Sequence, residues 1–210
     1  MDTFIQQMIN GLTLGSVYAL IALGYTLVYG IIKLLNFAQG DIFMVGSFVS
    51  YYLILSFNMN IFVAFLGTMA IIAVLGVITD QVAYKPLRSA PRISALITAI
   101  GVSYLLRNGI IVLAGVETRA YLQAFDNVPS FVNQSFQIGN ITIRVMQVIL
   151  LVTTIALMVI LQFIVQKTKM GKAMRAVSVD ADAAQLMGID TNNVIAFTFV
   201  LGSALAGASG

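Results

Sequence analysis

Two groups of polar residues interrupt a chain of 210 residues, of which 60% are hydrophobic and 9% are charged. The first polar group comprises Asn36, Gln39, Gly40 and Asp41. Its amide and carboxylate side chains offer hydrogen bonds, and its glycine suits a break in a helix. The chain has no histidine and no cysteine, which excludes imidazole and thiol chemistry. We therefore predict no catalytic residue, no cofactor and no metal site, and a protein that is not an enzyme.

The second group lies in the stretch SVDADAAQLMGID, residues 178–190. Asp180 is expected to cap a short helix, with Asp182 in the first turn, where the helix dipole favours a negative charge. Gly188 suits the left-handed residue that ends such a helix. Residues three to four apart share one face. That face comprises Ala183, Ala184 and Met187. Small residues let another surface approach closely, so the segment is either a docking element for a soluble partner or an ordinary solvated loop.

Apolar runs of about 20 residues, long enough to cross about 30 Å of hydrocarbon, recur along the chain. Only helices and closed barrels span a membrane, and barrel strands alternate apolar and polar residues. A run such as 145–165, VMQVILLVTTIALMVILQFIV, is apolar almost throughout. The sequence predicts an all-α integral membrane protein, a multi-span helical bundle with a single transmembrane domain over 1–210. The predicted spans cover residues 7–31, 42–57, 61–79, 93–115, 145–165 and 194–210.

Small residues recur every four positions near both ends, and we expect these stripes to let helices pack closely. The stripes are Gly11, Gly15 and Ala19, and Gly202, Ala206 and Gly210. The last apolar run stops at Gly210 with no polar residue after it. We therefore expect a C-terminally truncated fragment.

Lysine and arginine in short loops mark the cytoplasmic side. Loops 80–92 and 166–190 are rich in both, whereas the longer loop 116–144 has few, so we place the first two loops in the cytoplasm. Loop 116–144 and the N-terminus are then outside. The net charge of +3 does not indicate nucleic-acid binding.

The outer loop is rich in aromatic residues, and alternation around Gly139 and Asn140 predicts a small hairpin. The aromatic residues are Tyr121, Phe125, Phe131 and Phe136. This loop is expected to lie on the membrane surface or to receive an extracellular binding protein.

The second predicted span is several residues short, which fits a helix that is broken or re-entrant near residues 33–46. Shortened apolar segments interrupted by glycine are the best sequence indication of a transport site. Polar groups at membrane depth usually face a bundle interior or a water-filled path. We therefore predict that the first polar group lines a translocation path. The alternative is a plain cytoplasmic turn from which Lys33 extends toward water.

Four separated stretches, in the right order, resemble the permeases of branched-chain amino-acid ABC transporters. They are NGLTLGSVYAL at 10–20, YGIIKLLNFAQGD at 29–41, VAYKPLR at 82–88, and GKAMRAVSVDADAAQLMGID at 171–190, followed by VIAFTFVLGSALAG. The resemblance covers essentially the whole chain and is greatest to the first of the two paired permeases. Residues 182–188 look like the acidic-Ala-Ala and Gly signature with which importer permeases engage their ATPase.

The resemblance implies a permease subunit of an importer for branched-chain amino acids in the plasma or inner membrane. Its implied partners are a second homologous permease subunit, two cytoplasmic ATPases that dock on 171–190, an extracellular or periplasmic solute-binding protein and the small-molecule substrate. ATP hydrolysis is expected in the partners, because the chain has no G-x-x-x-x-G-K-[ST] phosphate loop. The expected coupling residues are Gly171, Arg175, Asp180, Asp182, Ala183, Ala184, Met187 and Gly188.

One position departs from the family pattern. The family form at the first polar group is Asn-Phe-Ala-His-Gly followed by an acid, and Gln39 takes the place of the histidine. A proton relay at this position is therefore not expected, although hydrogen bonding is retained.

Other interpretations stay open at this point. Arg107, inside the fourth span, is expected to pair with a buried acid, to line a cavity or to extend to the surface, and we favour pairing or extension. An ion-coupled secondary transporter of small amphipathic solutes would use Asp41 or Arg107 as its coupling charge. An ABC permease for an amide or a small sugar is a further alternative.

Overall fold

The computed structural model describes residues 2–88, 90–117, 134–138 and 141–210. Within these ranges the α-helices are α1 Asp2–Ile32, α2 Gln39–Leu55, α3 Ile61–Thr79, α4 Arg92–Ala114, α5 Val145–Lys167, α6 Lys169–Val179, α7 Ala181–Leu186 and α8 Thr191–Ser209. Helix α3 continues directly into a π-helical turn, Asp80–Tyr84, and a 3₁₀ turn, Lys85–Leu87. The predicted all-α fold is confirmed.

Five helices in the described part of the chain are long and apolar enough to cross a membrane. They are α1, α3 with its continuation, α4, α5 and α8. Helix α2 has 17 residues and is shorter, about 25 Å by helical rise. The chain is a multi-pass membrane protein, as the apolar runs predicted.

A short hairpin precedes α5. Its strands, β1 Ser135–Ile138 and β2 Ile141–Arg144, pair antiparallel, with Ser135 opposite Arg144. The predicted hairpin is therefore confirmed, whereas its turn at 139–140 and the aromatic positions 121, 125 and 131 lie outside the described residues. Gln6 at the start of α1 donates to the Thr142 carbonyl at 3.0 Å and accepts from the Thr142 amide at 2.8 Å. These two bonds hold the hairpin against α1.

Helix α8 lies at the centre of the bundle, where it packs against α1, α2 and α3. Small residues make this close approach possible. A Cβ built on Gly207 would lie 2.9 Å from Ile72 of α3, and one built on Gly46 of α2 would lie 3.2 Å from the Cα of Gly207. Ala206 is fully buried in the same interface. The predicted stripe at 202–210 therefore packs closely, as expected.

The other predicted stripe, at residues 11–19, does not pack closely. Nothing lies within 4 Å of a Cβ built on Gly11 or Gly15. The prediction of close packing there is wrong within the described residues, because the buried positions of α1 begin only at Leu20. Helix α8 meets α1 further along, where Gly24 faces Gly202.

We predict that Gly24→Ala destabilises the bundle, whereas Gly11→Ala on the same helix does not. The added methyl at position 24 would lie 2.6 Å from the Gly202 carbonyl oxygen and 2.7 Å from Gln39 Nε2, and a helix backbone cannot move aside cheaply. Overpacking of this kind costs about 1–3 kcal/mol. Thermal denaturation in detergent should give a lower Tm for Gly24→Ala and an unchanged Tm for Gly11→Ala. Equal Tm values would show that the α1–α8 contact has room for a methyl group at position 24.

Candidate functional site

Helix α1 ends at Ile32, and the six residues 33–38 that follow are not helical. Lys33 adopts a left-handed conformation with φ of 56°, which turns the chain back into the bundle. The side chains of Asn36 and Gln39 are then almost completely buried, at 1% and 2% exposure. One side of the non-helical segment, with Asn36 and Ala38, is therefore buried in the protein, where irregular backbone is tolerated at membrane depth, whereas Lys33, Leu35 and Phe37 are exposed.

Two contacts place the start of α2 about halfway along its neighbours. Gln39 Nε2 donates to the carbonyl of Gly202 at 2.9 Å, and Gly202 lies about 16 Å from Thr191, the first residue of α8, by helical rise. The Asp41 carboxylate accepts a hydrogen bond from Ser103, the central residue of α4. The chain thus returns to mid-depth before α2 begins, which confirms the broken helix that the sequence predicted near residues 33–46.

Side chains hold the break in place. The Asn36 Oδ1 atom accepts from the Tyr84 hydroxyl at 2.8 Å and from the Ala38 amide at 3.1 Å, while Asn36 Nδ2 donates to Gln39 Oε1 at 3.4 Å. Asn36 and Gln39 therefore brace the break. Gly40, by contrast, is exposed, with nothing within 4 Å of a Cβ built on it.

An ion pair lies beside the break. Both Nε and Nη2 of Arg107 are 3.4 Å from Asp41 Oδ1, so α2 and α4 are joined by opposite charges. The Asp41 side chain is 9% exposed and that of Arg107 is 58% exposed. Of the roles open to Arg107, pairing with a buried acid is the one observed.

A second ion pair spans the two turns that follow α3, and its arginine also hydrogen-bonds the start of α8. Arg88 Nη2 binds both Asp80 carboxylate oxygens, at 2.6 and 2.8 Å, and Arg88 Nη1 binds Asn192. Asp80 is 1% exposed. This ion pair was not predicted from the sequence, where Arg88 is only one of the basic residues of loop 80–92 and part of the motif at 82–88. A single acid at the end of an apolar span, followed closely by arginine, was the available signal.

Helix α6 folds back against the end of α5. A Cβ on Gly171 would overlap the carbonyl groups of Ile164 and Val165, so only glycine fits. Arg175 Nη1 donates to the carbonyls of Val165 and Gln166 at 2.8 and 3.1 Å, which satisfies the last turn of α5. Gly171 and Arg175 therefore fix α6 to α5 within the chain.

Helix α7 forms as its caps predict. Asp180 Oδ1 accepts from the amides of Asp182 and Ala183, both at 3.0 Å. Asp182 lies in the first turn, and Gly188 follows the helix with a left-handed φ of 86°. The three predicted end residues thus delimit this short helix.

The predicted common face of Ala183, Ala184 and Met187 is wrong. Ala184 is buried in an apolar cluster with Ile31, Met174, Val177 and Val194, whereas Ala183 and Met187 are exposed. The cluster fixes Ala184 toward the bundle, and the Ile189 amide bonds the Ala184 carbonyl at 3.0 Å and bends the chain there. The helix was too short for spacing alone to predict its buried side.

Three large apolar side chains are exposed in this region, beside the exposed polar residues Asp182 and Gln185. Leu186 and Met187 are 88% and 84% exposed, and Val179 just before α7 is exposed as well. We call Val179, Leu186 and Met187 the apolar tip. Leu186 lies on α7, which Ala184 anchors to the bundle next to the first residues of α8, whereas Val179 ends α6 and Met187 follows α7.

Comparison with known proteins places the whole arrangement in one family. The family model described as "Branched-chain amino acid transport system / permease component" matches residues 7–210. The chain belongs to this family. It is 39% identical over 220 residues to the high-affinity branched-chain amino acid transport system permease protein LivH of Escherichia coli K12, covering 99% of this chain and 69% of LivH.

A second relative agrees with the first. The permease protein BraD of Pseudomonas aeruginosa is 36% identical over 216 residues, which cover 97% of this chain and 68% of BraD. No solved structure gives a significant match. The resemblance stated from the sequence motifs is therefore confirmed.

We predict that Arg88→Met lowers the stability of the permease far more than the double variant Asp80→Asn, Arg88→Met. The single change leaves a buried carboxylate unpaired, at a cost of about 3–5 kcal/mol, whereas neutralising both partners removes that cost. Thermal denaturation in detergent of the wild type and both variants measures the difference. A double variant as unstable as the single variant would show that the ion pair is not what Arg88 contributes.

Proposed function

We propose that this chain is a membrane-spanning permease subunit of an ABC importer for branched-chain amino acids. A second homologous permease subunit would complete the pathway, two cytoplasmic ATPases would supply the work, and an extracellular or periplasmic binding protein would deliver the substrate. The observation that carries the proposal is the apolar tip of Val179, Leu186 and Met187 at the two ends of the anchored helix α7. The names of the relatives supply the substrate class.

The apolar tip fits a docking surface for a folded partner. Groups of exposed apolar side chains mark interaction sites on proteins, and the three residues of the tip all lie within residues 179–187. A helix of six residues is not stable alone in water, but α7 has an Asp180 cap at its start and the buried Ala184 beneath it. It can therefore insert into a partner as a rigid body.

Movement of α7 would reach the bundle through α8. The Ala184 cluster includes Val194 in the first turn of α8, and Asp190, between the two helices, caps α8 by accepting from the amides of Asn192 and Asn193. Helix α8 then runs to Gly202, whose carbonyl binds Gln39 at the break. A push on α7 would thus pass to α8 through the packing of Ala184 against Val194 and along α8 to mid-depth.

The mechanism follows from this connection. ATP binding would draw the two ATPases together, and the docked α7 helices of the permease pair would move with them. The nucleotide shifts the population of inward-open and outward-open states only as far as it binds one state more tightly. Hydrolysis takes place in the partners, so this chain transmits work and catalyses no reaction.

The apolar tip must then face the cytoplasm. Lys167, Lys169 and Lys172 lie in the adjoining segment, and Lys85 lies at the same end of the bundle, which favours this side. The C-terminal end of α4 and the N-terminal end of α5 would then face the outside.

An ion-coupled secondary transporter is the second candidate, and the Asp41–Arg107 pair is the observation that favours it. The two candidates differ in their energy source. Uptake into proteoliposomes that requires ATP and the ATPases supports the importer, whereas uptake driven by an ion gradient without them supports the secondary transporter.

We predict that Leu186→Asp abolishes co-purification of the ATPase, because a charged side chain replaces the most exposed apolar side chain of the tip. Val116→Asp is the matched control, since Val116, at 84% exposure, is nearly as exposed as Leu186 but follows α4 at the opposite end of the bundle. Both variants should insert in the membrane at wild-type levels. An ATPase that co-purifies equally well with Leu186→Asp would refute docking at the apolar tip.

We predict that cysteine labelling will place α7 on the cytoplasmic side of the membrane. A single introduced cysteine can be labelled selectively because the chain has no cysteine of its own. Gln185→Cys, exposed on α7, should react with an impermeant maleimide only after the membrane is opened. Val116→Cys should react in intact cells. The reverse pattern would place the tip outside the cell and exclude contact with a cytoplasmic ATPase.

A further inference from the structure

The Asp41–Arg107 pair is unusual because one of its members is exposed at membrane depth. Arg107 lies about 10 Å from the end of α4 at Ala114 and about 22 Å from its start at Arg92, by helical rise. Its side chain is nevertheless 58% exposed. Charged groups at this depth face a bundle interior or a water-filled cavity rather than lipid. This side of α4 therefore borders a polar space or another protein surface.

The two charges of the pair are not closely bonded, so each could accept another charged partner. One oxygen of Asp41 accepts from the Ser103 hydroxyl, and the other is 3.4 Å from two nitrogens of Arg107. In a charge-assisted hydrogen bond of this kind the nitrogen and oxygen are about 2.7–2.9 Å apart. Arg107 thus neutralises Asp41 without binding it tightly, while Ser103 holds the carboxylate in place.

Exposed apolar side chains share the side of α4 on which Arg107 lies. Ile100, Tyr104 and Ile111 lie three, four or seven residues from Arg107, so helical spacing puts them on its side of the helix. All three are exposed. Two opposite charges and an exposed aliphatic and aromatic surface therefore occur together at mid-depth.

We propose that Asp41 and Arg107 form the site that recognises the two charges of an amino-acid zwitterion. Arg107 binds the α-carboxylate, Asp41 binds the α-ammonium, and the aliphatic side chain contacts Ile100, Tyr104 and Ile111. The zwitterion replaces one internal ion pair by two, so no charge is left unpaired at membrane depth, where an unpaired charge is costly. This inference rests on the proposed function, which supplies the amino acid as substrate.

The first test uses the wild-type transporter assembled with its partners. Phenylglyoxal modifies exposed arginines, and mass spectrometry reads the extent of modification at Arg107 alone. L-leucine should protect Arg107, whereas leucinamide, which keeps the ammonium and the side chain but lacks the carboxylate, should not. Equal protection by both compounds, or protection by neither, would overturn the assignment of Arg107.

The second test separates recognition from structure. In the double variant Asp41→Asn, Arg107→Met neither charge is left unpaired, so a merely structural ion pair predicts normal uptake of leucine. Recognition of the zwitterion predicts that the variant still co-purifies with the ATPase but takes up leucine at least about tenfold more slowly, the loss expected for one charged hydrogen bond. Asn108→Ala, which removes a polar side chain from the same helix, should take up leucine at the wild-type rate.

The outcomes keep this inference apart from the proposed function. A wild-type transporter that shows no ATP-driven leucine uptake contradicts the proposed function itself. ATP-driven uptake that is equally fast in the double variant leaves the proposed function standing and overturns the zwitterion site. Should the double variant fail to assemble, the protection of wild-type Arg107 decides the question alone.

Discussion

The side-chain amide of Gln39 joins the start of α2 to the middle of α8, in a place where water cannot satisfy a backbone carbonyl. Its Nε2 donates to Gly202, and its Oε1 accepts from Asn36 in the non-helical segment. Gly24 has no side chain to obstruct the contact. Because buried polar groups must be satisfied within the protein, this amide lets the chain keep a broken helix at mid-depth. A proton relay is not needed for that purpose, which fits glutamine at this position.

Helix α8 connects the two functional regions that the sequence suggested separately. One end carries Asn192, which binds Arg88, and Val194, which packs beneath α7. The middle carries the Gly202 carbonyl at the break. The π-helical turn at the end of α3 brings Asp80 and Tyr84 to the same interior, since Tyr84 binds Asn36. The proposed docking at the apolar tip would therefore act on the break through packed helices.

Much of this arrangement could be predicted from the sequence, since apolar length sets the helices and local capping sets α7. The helix break was predictable because glycine and polar residues shorten an apolar run. Its partners were not, because the contacts of Asn36 with Tyr84 and of Gln39 with Gly202 join residues far apart in the chain. The prediction of which side of α7 faces the bundle was wrong for a related reason. Six residues carry too little periodicity, and tertiary packing around Ala184 decided it.

The central claim is that work applied to α7 moves the broken helix through α8. Spin labels at Gln185 on α7 and at Phe57 beyond the far end of α2, both exposed, report the distance between these two elements in the assembled transporter. Pulsed electron paramagnetic resonance should give different distance distributions for the nucleotide-free and the ATP-bound states. Identical distributions in a transporter that still hydrolyses ATP would contradict the account.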